Sequence, residues 1–219
     1  MASGVRTTAG AGLEPGSAPP DDGAPWTRDQ RIALALLIAA LLGSLPFTVH
    51  PWYDEATDAA LYVLTARSIA AGEGYTYLGV PFIIRPPGFS LLIAPFAAHP
   101  TNFLLLNTLV SLTGVLCVGL MFAFYRPRLG AALTFGLCVA VWLNPIFQQL
   151  STQVLSDVPG AALVFAALLL DRAARRRPSL ARHALLGLCI AGGLYVRSVC
   201  TLLVPAVLPS RLAPRLPGR

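Results

Sequence analysis

The chain has 219 residues, of which 55% are hydrophobic and only 12% are charged. A soluble domain of this length carries about a quarter charged residues, so the composition argues against a soluble enzyme or a soluble binding module. The formal net charge is +6, and every basic residue is an arginine. Because the arginines lie mostly beside apolar runs, they indicate orientation in a lipid bilayer rather than binding to nucleic acid.

Residues 1–30 are rich in alanine, glycine, proline and serine, which is typical of a disordered tail. Uncharged apolar runs of roughly 18 residues or more follow, and this length indicates transmembrane helices. We therefore predict an all-α, polytopic transmembrane helical bundle of about five spans over residues 31–208, with a short tail over residues 209–219. The predicted spans cover residues 32–49, 103–124, 129–147, 155–170 and 184–208.

The arginines orient these spans. Arg28 and Arg31 precede the first span, and an arginine cluster follows Asp171. By the positive-inside rule, the N-terminal tail is cytoplasmic and residues 50–101 form an external loop. The apolar run at residues 89–98 is only about ten residues long, too short to span, so we interpret it as a re-entrant or interfacial helix. If this run did cross, the arginine cluster would move outside, against the rule.

The external loop carries the polar groups that a membrane span does not need. Residues 51–88 hold four of the ten acidic residues of the chain: Asp54, Glu55, Asp58 and Glu73. The pattern from residue 54 to residue 71 predicts a helix that ends at a glycine pair, Gly72 and Gly74. The sequence Arg85-Pro86-Pro87-Gly88 then breaks any helix and predicts an extended turn.

Two interpretations are open for the adjacent carboxylates Asp54 and Glu55. They are able to cap the first turn of the predicted helix and complement its dipole. Alternatively, one of them is a general base at the membrane surface. Asp58 lies one turn after Asp54, and two carboxylates on one helix face raise the pKa of one of them, which suits proton transfer.

Three further charged residues have the same two kinds of interpretation. Arg85 either reaches to lipid headgroups or is held by the prolines to bind a phosphate or carboxylate. Asp157, in the sequence Ser-Asp-Val-Pro-Gly, either caps a helix or is a functional group at membrane depth. Arg197 lies within the last predicted span, where it requires an acidic partner or a bound anion.

The order of these motifs resembles a known family. The helix pattern A-x-x-Y-x-x-x-A-R-x-I-A-x-G-x-G-Y, the turn R-P-P-G, the later S-D-V-P-G and the final L-Y-V-R-S are similar to membrane glycosyltransferases of the GT-C fold. The resemblance is to glycosyltransferase family 39, the dolichyl-phosphate-mannose–protein mannosyltransferase-like group. That group includes bacterial enzymes that use polyprenyl-phosphate sugars. The similarity covers residues 31–205.

The resemblance implies an inverting hexosyl or pentosyl transfer from a polyprenyl-phosphate sugar donor to a glycan, lipid or protein acceptor on the external side of a bacterial plasma membrane. Asp54, with Glu55 beside it, matches the proposed catalytic base of the family. The other four residues are assigned to substrate binding: Asp58, Arg85, Asp157 and Arg197. Relatives with this fold include metal-independent and metal-using enzymes. The sequence itself indicates no cofactor, and it has no cysteine and histidine cluster with zinc spacing.

Members of that family usually continue through many more spans. We therefore expect the chain to be the N-terminal part of such a domain, in an incomplete, shortened or inactive form. A rival function is a transporter or channel subunit in which Asp157 and Arg197 line a pathway. Against this rival, the most polar stretch is an external loop rather than a pair of broken helices near the midplane. A third interpretation is a membrane protein with a structural role alone.

Overall fold

The computed structural model describes residues 25–52, 58–97 and 101–207. These residues are mostly helical, which confirms the predicted all-α class. Eight α-helices occur in the described part of the chain: α1 (Arg28–Thr48), α2 (Ala59–Ala70), α3 (Gly88–Ile93), α4 (Phe103–Trp142), α5 (Pro145–Ser151), α6 (Asp157–Arg176), α7 (Leu180–Val196) and α8 (Leu203–Val207). Short 3-10 helices follow α3 (Ala94–Phe96) and α7 (Ser198–Leu202).

Helix α1 begins at a capping box, in which Thr27 and Gln30 satisfy each other's backbone N–H groups. It packs on α4 through a stripe of buried leucines four residues apart: Leu37, Leu41 and Leu45. Helix α4 breaks at Gly130, which has a φ of 72°. The chain then folds back on the first part of α4, which places the Cys138 thiol 3.8 Å from the Val118 carbonyl oxygen.

Among the described residues, two helices are long and apolar enough to cross a membrane by length and composition, namely α1 and α4. The prediction of about five spans therefore stays a prediction, and two of its ranges differ from the observed helices. After Gly130, helix α4 continues only to Trp142, and Asn144 caps the separate helix α5. The last predicted span ends at Val196, because Arg197 has an extended backbone (φ −152°, ψ 127°).

Helices α2 and α3, in the loop between α1 and α4, pack as a layer on these helices. Helix α2 buries Ala59, Tyr62, Val63 and Ala66 against α3 and α4. It ends at Ala70, ahead of Gly72 with a φ of 77°. This confirms the predicted helix and its glycine stop, while residues 53–57, where the helix was predicted to begin, lie outside the described residues. Helix α3 has six residues, too short to span a bilayer, as predicted.

A two-stranded hairpin between α2 and α3 was not predicted. Strands β1 (Thr76–Tyr77) and β2 (Val80–Pro81) pair antiparallel. Leu78 and Gly79 form the turn with φ values of 52° and 81°, the left-handed pair that a tight hairpin turn requires. Aromatic side chains pack beside this hairpin: Tyr75 and Tyr77 both contact Phe82.

Candidate functional site

A buried hydroxyl pair joins the loop between α1 and α4 to the helical bundle. The Tyr62 hydroxyl of α2 and Ser156 Oγ, at the start of α6, share a hydrogen bond of 2.7 Å. Tyr62 is 2% exposed and Ser156 is 0% exposed. Ser156 occupies the N-cap position of α6, but its side chain makes no capping hydrogen bond. The hydroxyl is instead directed toward the loop, where it bridges two layers of the structure.

The first ion pair beside this bridge joins Asp58 and Arg85. The Arg85 guanidinium lies 2.6 Å from Asp58 Oδ2, and the two side chains are 40% and 34% exposed. The Tyr75 hydroxyl donates to the Arg85 carbonyl oxygen at 3.0 Å, which fixes the turn ahead of Pro86. The buried Nε of Arg85 has no hydrogen-bond partner among the described residues.

The second ion pair joins Asp157 and Arg197. Arg197 Nη1 donates to Asp157 Oδ2 at 2.6 Å and to Ser156 Oγ at 3.1 Å. The side chains of Arg197 and Asp157 are 30% and 28% exposed. The structure thus gives Arg197 the acidic partner that the sequence required. The break after Val196 brings this about, because Arg197 leaves the helix and its side chain turns toward the start of α6.

The electrostatics show that both ion pairs flank the same hydroxyl. Burial raises the pKa of Tyr62 above its ordinary value of 10.0. The hydrogen bond with Ser156 opposes that rise, the negative charge of Asp58 adds to it, and the positive charges of Arg85 and Arg197 oppose it. The hydroxyl therefore stays protonated at neutral pH and lies within electrostatic reach of both cations.

Two glycines allow the close packing that forms this site. A Cβ atom at Gly88, the last residue of the R-P-P-G turn, would lie 2.3 Å from the Tyr195 carbonyl oxygen. A Cβ atom at Gly160 would lie 3.3 Å from the Cβ of Arg197. The loop turn and α6 therefore both pack tightly against the chain around residues 195–197, and this contact sets the distance between Arg85 and Arg197.

Buried polar side chains tie the loop to α4. Asn107, which is 0% exposed, donates from Nδ2 to the carbonyl oxygens of His50 and Trp52, each at 2.8 Å. Thr65 and Ser90 share a buried hydrogen bond of 2.8 Å between α2 and α3. The Asn107 contacts hold residues 50–52, which precede Asp54 in the sequence. An asparagine within an apolar helix is a signal for such a role, but Asn107 was not predicted.

Four of the six predicted site residues come together in the structure: Asp58, Arg85, Asp157 and Arg197. Asp54 and Glu55 lie outside the described residues. Tyr62 and Ser156, which connect the four, were not predicted as site residues. Among the described residues, no group of three or more His, Cys, Asp or Glu side chains is arranged to hold a metal ion. Guanidinium and hydroxyl groups suit a phosphate or carboxylate instead.

No protein-family model, curated protein or solved structure matches the chain. The family resemblance carried by the R-P-P-G, S-D-V-P-G and L-Y-V-R-S motifs therefore stays a prediction.

Proposed function

We propose that the chain carries the donor site of an integral membrane glycosyltransferase that uses a polyprenyl-phosphate sugar. One observation supports this function above the others. The cations Arg85 and Arg197, which are 112 positions apart in the sequence, flank one buried Tyr62–Ser156 bridge where the external loop meets the bundle. Two partly exposed guanidinium groups at the end of apolar helices fit a phosphate whose attached chain is a lipid.

The proposed reaction is a displacement with inversion at the anomeric carbon. An acceptor oxygen forms the new bond to that carbon, and the bond between the carbon and the donor phosphate oxygen breaks. The electron pair of the broken bond stays on the leaving polyprenyl phosphate, and the acceptor proton passes to Asp54. Negative charge therefore develops on the phosphate, and this is the charge that Arg85 and Arg197 stabilise.

The two carboxylates have a role that precedes donor binding. Asp58 and Asp157 hold the guanidinium groups in place while the site is empty. A phosphate then binds to the remaining guanidinium N–H groups, because arginine has five donors and the contact with a carboxylate does not use them all. The protonated Tyr62 hydroxyl adds a neutral group that carries no repulsive charge toward the phosphate.

The membrane placement follows from the same helices. Helices α1 and α4 supply the length and apolar character for crossing. We place the N-terminus in the cytoplasm, and the site on the external face of a bacterial plasma membrane in a multi-pass chain. The acceptor is a glycan, lipid or protein that reaches this face. The proposal adds no metal, since arginine supplies the positive charge.

Binding of the leaving group tests the proposal without knowledge of the sugar. The probe is farnesyl phosphate, and farnesol is the uncharged comparison, both added to the full chain in detergent. We expect farnesyl phosphate to bind at least tenfold more tightly than farnesol. We expect Arg85→Gln and Arg197→Gln each to weaken its binding about tenfold, the effect of losing one charge-assisted hydrogen bond. Arg67→Gln is the matched control, because Arg67 lies on α2 and donates to Thr101 instead.

Folding has to be separated from binding in these variants. Arg197→Gln leaves Asp157 without its cation, so the double variant Asp157→Asn/Arg197→Gln removes both charges together. This double variant should unfold at a temperature close to that of the parent chain and still bind farnesyl phosphate poorly. Equal affinity for farnesol and farnesyl phosphate, or equal losses in the Arg67 control, would refute the donor site.

A further inference from the structure

A second cluster of arginines surrounds a cavity at the opposite end of α6. The cavity has a volume of about 420 Å³, and six residues from α4 and α6 line it: Phe124, Arg128, Leu168, Arg172, Arg175 and Arg176. Helix α6 has 20 residues, which corresponds to about 30 Å along its axis. The α6 residues that line the cavity lie 11 to 19 positions after Asp157, about 17–29 Å along the helix axis, so the cavity is separate from the candidate site.

The arginines in this cavity are held by specific contacts. Arg172 donates to the Phe124 carbonyl oxygen at 2.9 Å, and its guanidinium lies 3.7 Å from the centre of the Phe124 ring. The Arg128 guanidinium lies 5.9 Å from the same ring. Arg175 pairs with Asp171. One aromatic side chain thus orders two guanidinium groups at one wall, by the cation–π contacts that arginine favours.

The charge balance of the cavity favours an anion. Asp171 is 1% exposed and lies beneath Arg175 rather than in the opening. Counted over the residues that the structure describes around the cavity, the four lining arginines and this one carboxylate carry a formal charge of +3. A cavity of this size accommodates a small ligand, and arginine binds phosphate through two parallel N–H donors.

The remaining lining residues select the form in which the phosphate arrives. Phe124 on α4 and Leu168 on α6 give the cavity an apolar side next to its arginines. A free phosphate ion gains nothing from that surface, whereas a lipid places its acyl chains along it. Basic pockets between membrane helices on the cytoplasmic side are suited to anionic headgroups.

We infer that the cavity between α4 and α6 binds the headgroup phosphate of an anionic phospholipid in the cytoplasmic leaflet. The site does not depend on sugar transfer, although it shares the placement of the helices in a membrane. A bound lipid of this kind links α4 to α6, because its phosphate bridges Arg128 on α4 and the arginines on α6.

The experiment measures binding of short-chain lipids to the full chain in detergent. The probes are dioctanoyl phosphatidylglycerol, dioctanoyl phosphatidylcholine and inorganic phosphate. The test variant is Arg128→Gln/Arg176→Gln. The control is Arg177→Gln/Arg182→Gln, which removes the same charge from two arginines that do not line the cavity. We expect phosphatidylglycerol to bind at least tenfold more tightly than the other two probes. We expect the test variant to lose at least tenfold of that affinity and the control to lose less than twofold.

Three results would overturn the inference. Equal losses in the test and control variants would show that general surface charge attracts the lipid. Equal binding of phosphatidylcholine would show that the anionic headgroup is not recognised, and equal binding of inorganic phosphate would show that no lipid is needed. If Arg128→Gln/Arg176→Gln does not fold, Arg128→Lys/Arg176→Lys keeps the charge but removes the paired donors. That variant should also bind phosphatidylglycerol several-fold more weakly, and unchanged affinity would contradict the site.

Failure of this site is distinguishable from failure of the proposed donor site. Arg85→Gln and Arg197→Gln should leave phosphatidylglycerol binding unchanged, because these residues flank the start of α6. The cavity residues lie about 17–29 Å further along that helix. Conversely, Arg128→Gln/Arg176→Gln should leave farnesyl phosphate binding unchanged. Loss of both ligands in either variant would show a single nonspecific cationic effect.

Discussion

Replacing Gly88 with alanine tests whether the R-P-P-G turn packs against the end of α7. The added Cβ would lie 2.3 Å from the Tyr195 carbonyl oxygen and 2.6 Å from its carbonyl carbon. Ordinary contacts of this type are more than 1 Å longer. Because both partners are backbone atoms, no side-chain rotation relieves the clash. The turn and α7 must therefore move apart.

The expected cost follows from overpacking, which destabilises a protein by about 1–3 kcal/mol. With backbone on both sides, we expect Gly88→Ala to cost about 2–3 kcal/mol. For a chain of this size, each kcal/mol lowers the melting temperature by about 2–4 °C. A fall of about 5–10 °C is therefore expected. Because Tyr195 is two positions before Arg197, the same shift should weaken farnesyl phosphate binding.

The assay is thermal unfolding of the purified chain in detergent, followed by size-exclusion chromatography. Gly187→Ala is the matched control, since Gly187 lies on α7 and a Cβ there would have no heavy atom within 4 Å. Alanine is favoured over glycine inside a helix by about 1 kcal/mol, so the control should be equally or more stable than the parent chain. A melting temperature for Gly88→Ala equal to that of Gly187→Ala would refute the close contact.

Three other predictions concern the loop and the orientation of the chain. Burial raises the pKa of Tyr62 above 10.0, so the stability contributed by this group is present below pH 10 and is lost as the pH rises through the folded-state pKa. Tyr62→Phe should therefore reduce the fall in melting temperature between pH 9 and pH 11. An unchanged fall would contradict the burial effect. Leu78 has a φ of 52°, a conformation that asparagine tolerates better than leucine. Leu78→Asn should therefore raise the free energy of unfolding in chemical denaturation by about 0.5–1 kcal/mol. A loss of stability would argue against the hairpin turn. Ile83 and Leu180 are 91% and 88% exposed. In a cysteine-free background, Ile83→Cys should react with an impermeant maleimide from outside the cell, and Leu180→Cys should react only after permeabilisation. The opposite pattern would reverse the proposed topology.

The sequence predicted the local features of the loop because local forces produce them. The apolar stripe of α2 and the left-handed glycine at residue 72 define a helix and its end without reference to the rest of the fold. The hairpin escaped prediction because leucine is disfavoured at a positive φ. Leu78 therefore gave no turn signal, although Gly79 beside it did.

The connections within the candidate site depend on tertiary contacts that no short pattern contains. The Tyr62–Ser156 bond joins residues 94 positions apart, and the Asp157–Arg197 pair joins residues 40 positions apart. The apolar run around Arg197 predicted one long span. The chain instead leaves the helix at that residue, which brings Arg197 to Asp157. The charge is thereby paired, as a charge near an apolar helix requires. The charge of Arg197 within an apolar run predicted that this residue needs a partner. The identity of the partner, Asp157, is known only from the fold.

The most direct test of the central claim is sugar transfer itself. The full chain in lipid nanodiscs is incubated with polyprenyl-phosphate hexoses and pentoses, and release of polyprenyl phosphate is followed together with the fate of the labelled sugar. We expect the parent chain to release polyprenyl phosphate. We expect Asp54→Asn to lower the rate of release at least 100-fold, the contribution expected of a general base, and to leave farnesyl phosphate binding unchanged. Equal rates in the parent chain and Asp54→Asn, or no release from any of these donors, would contradict the central claim.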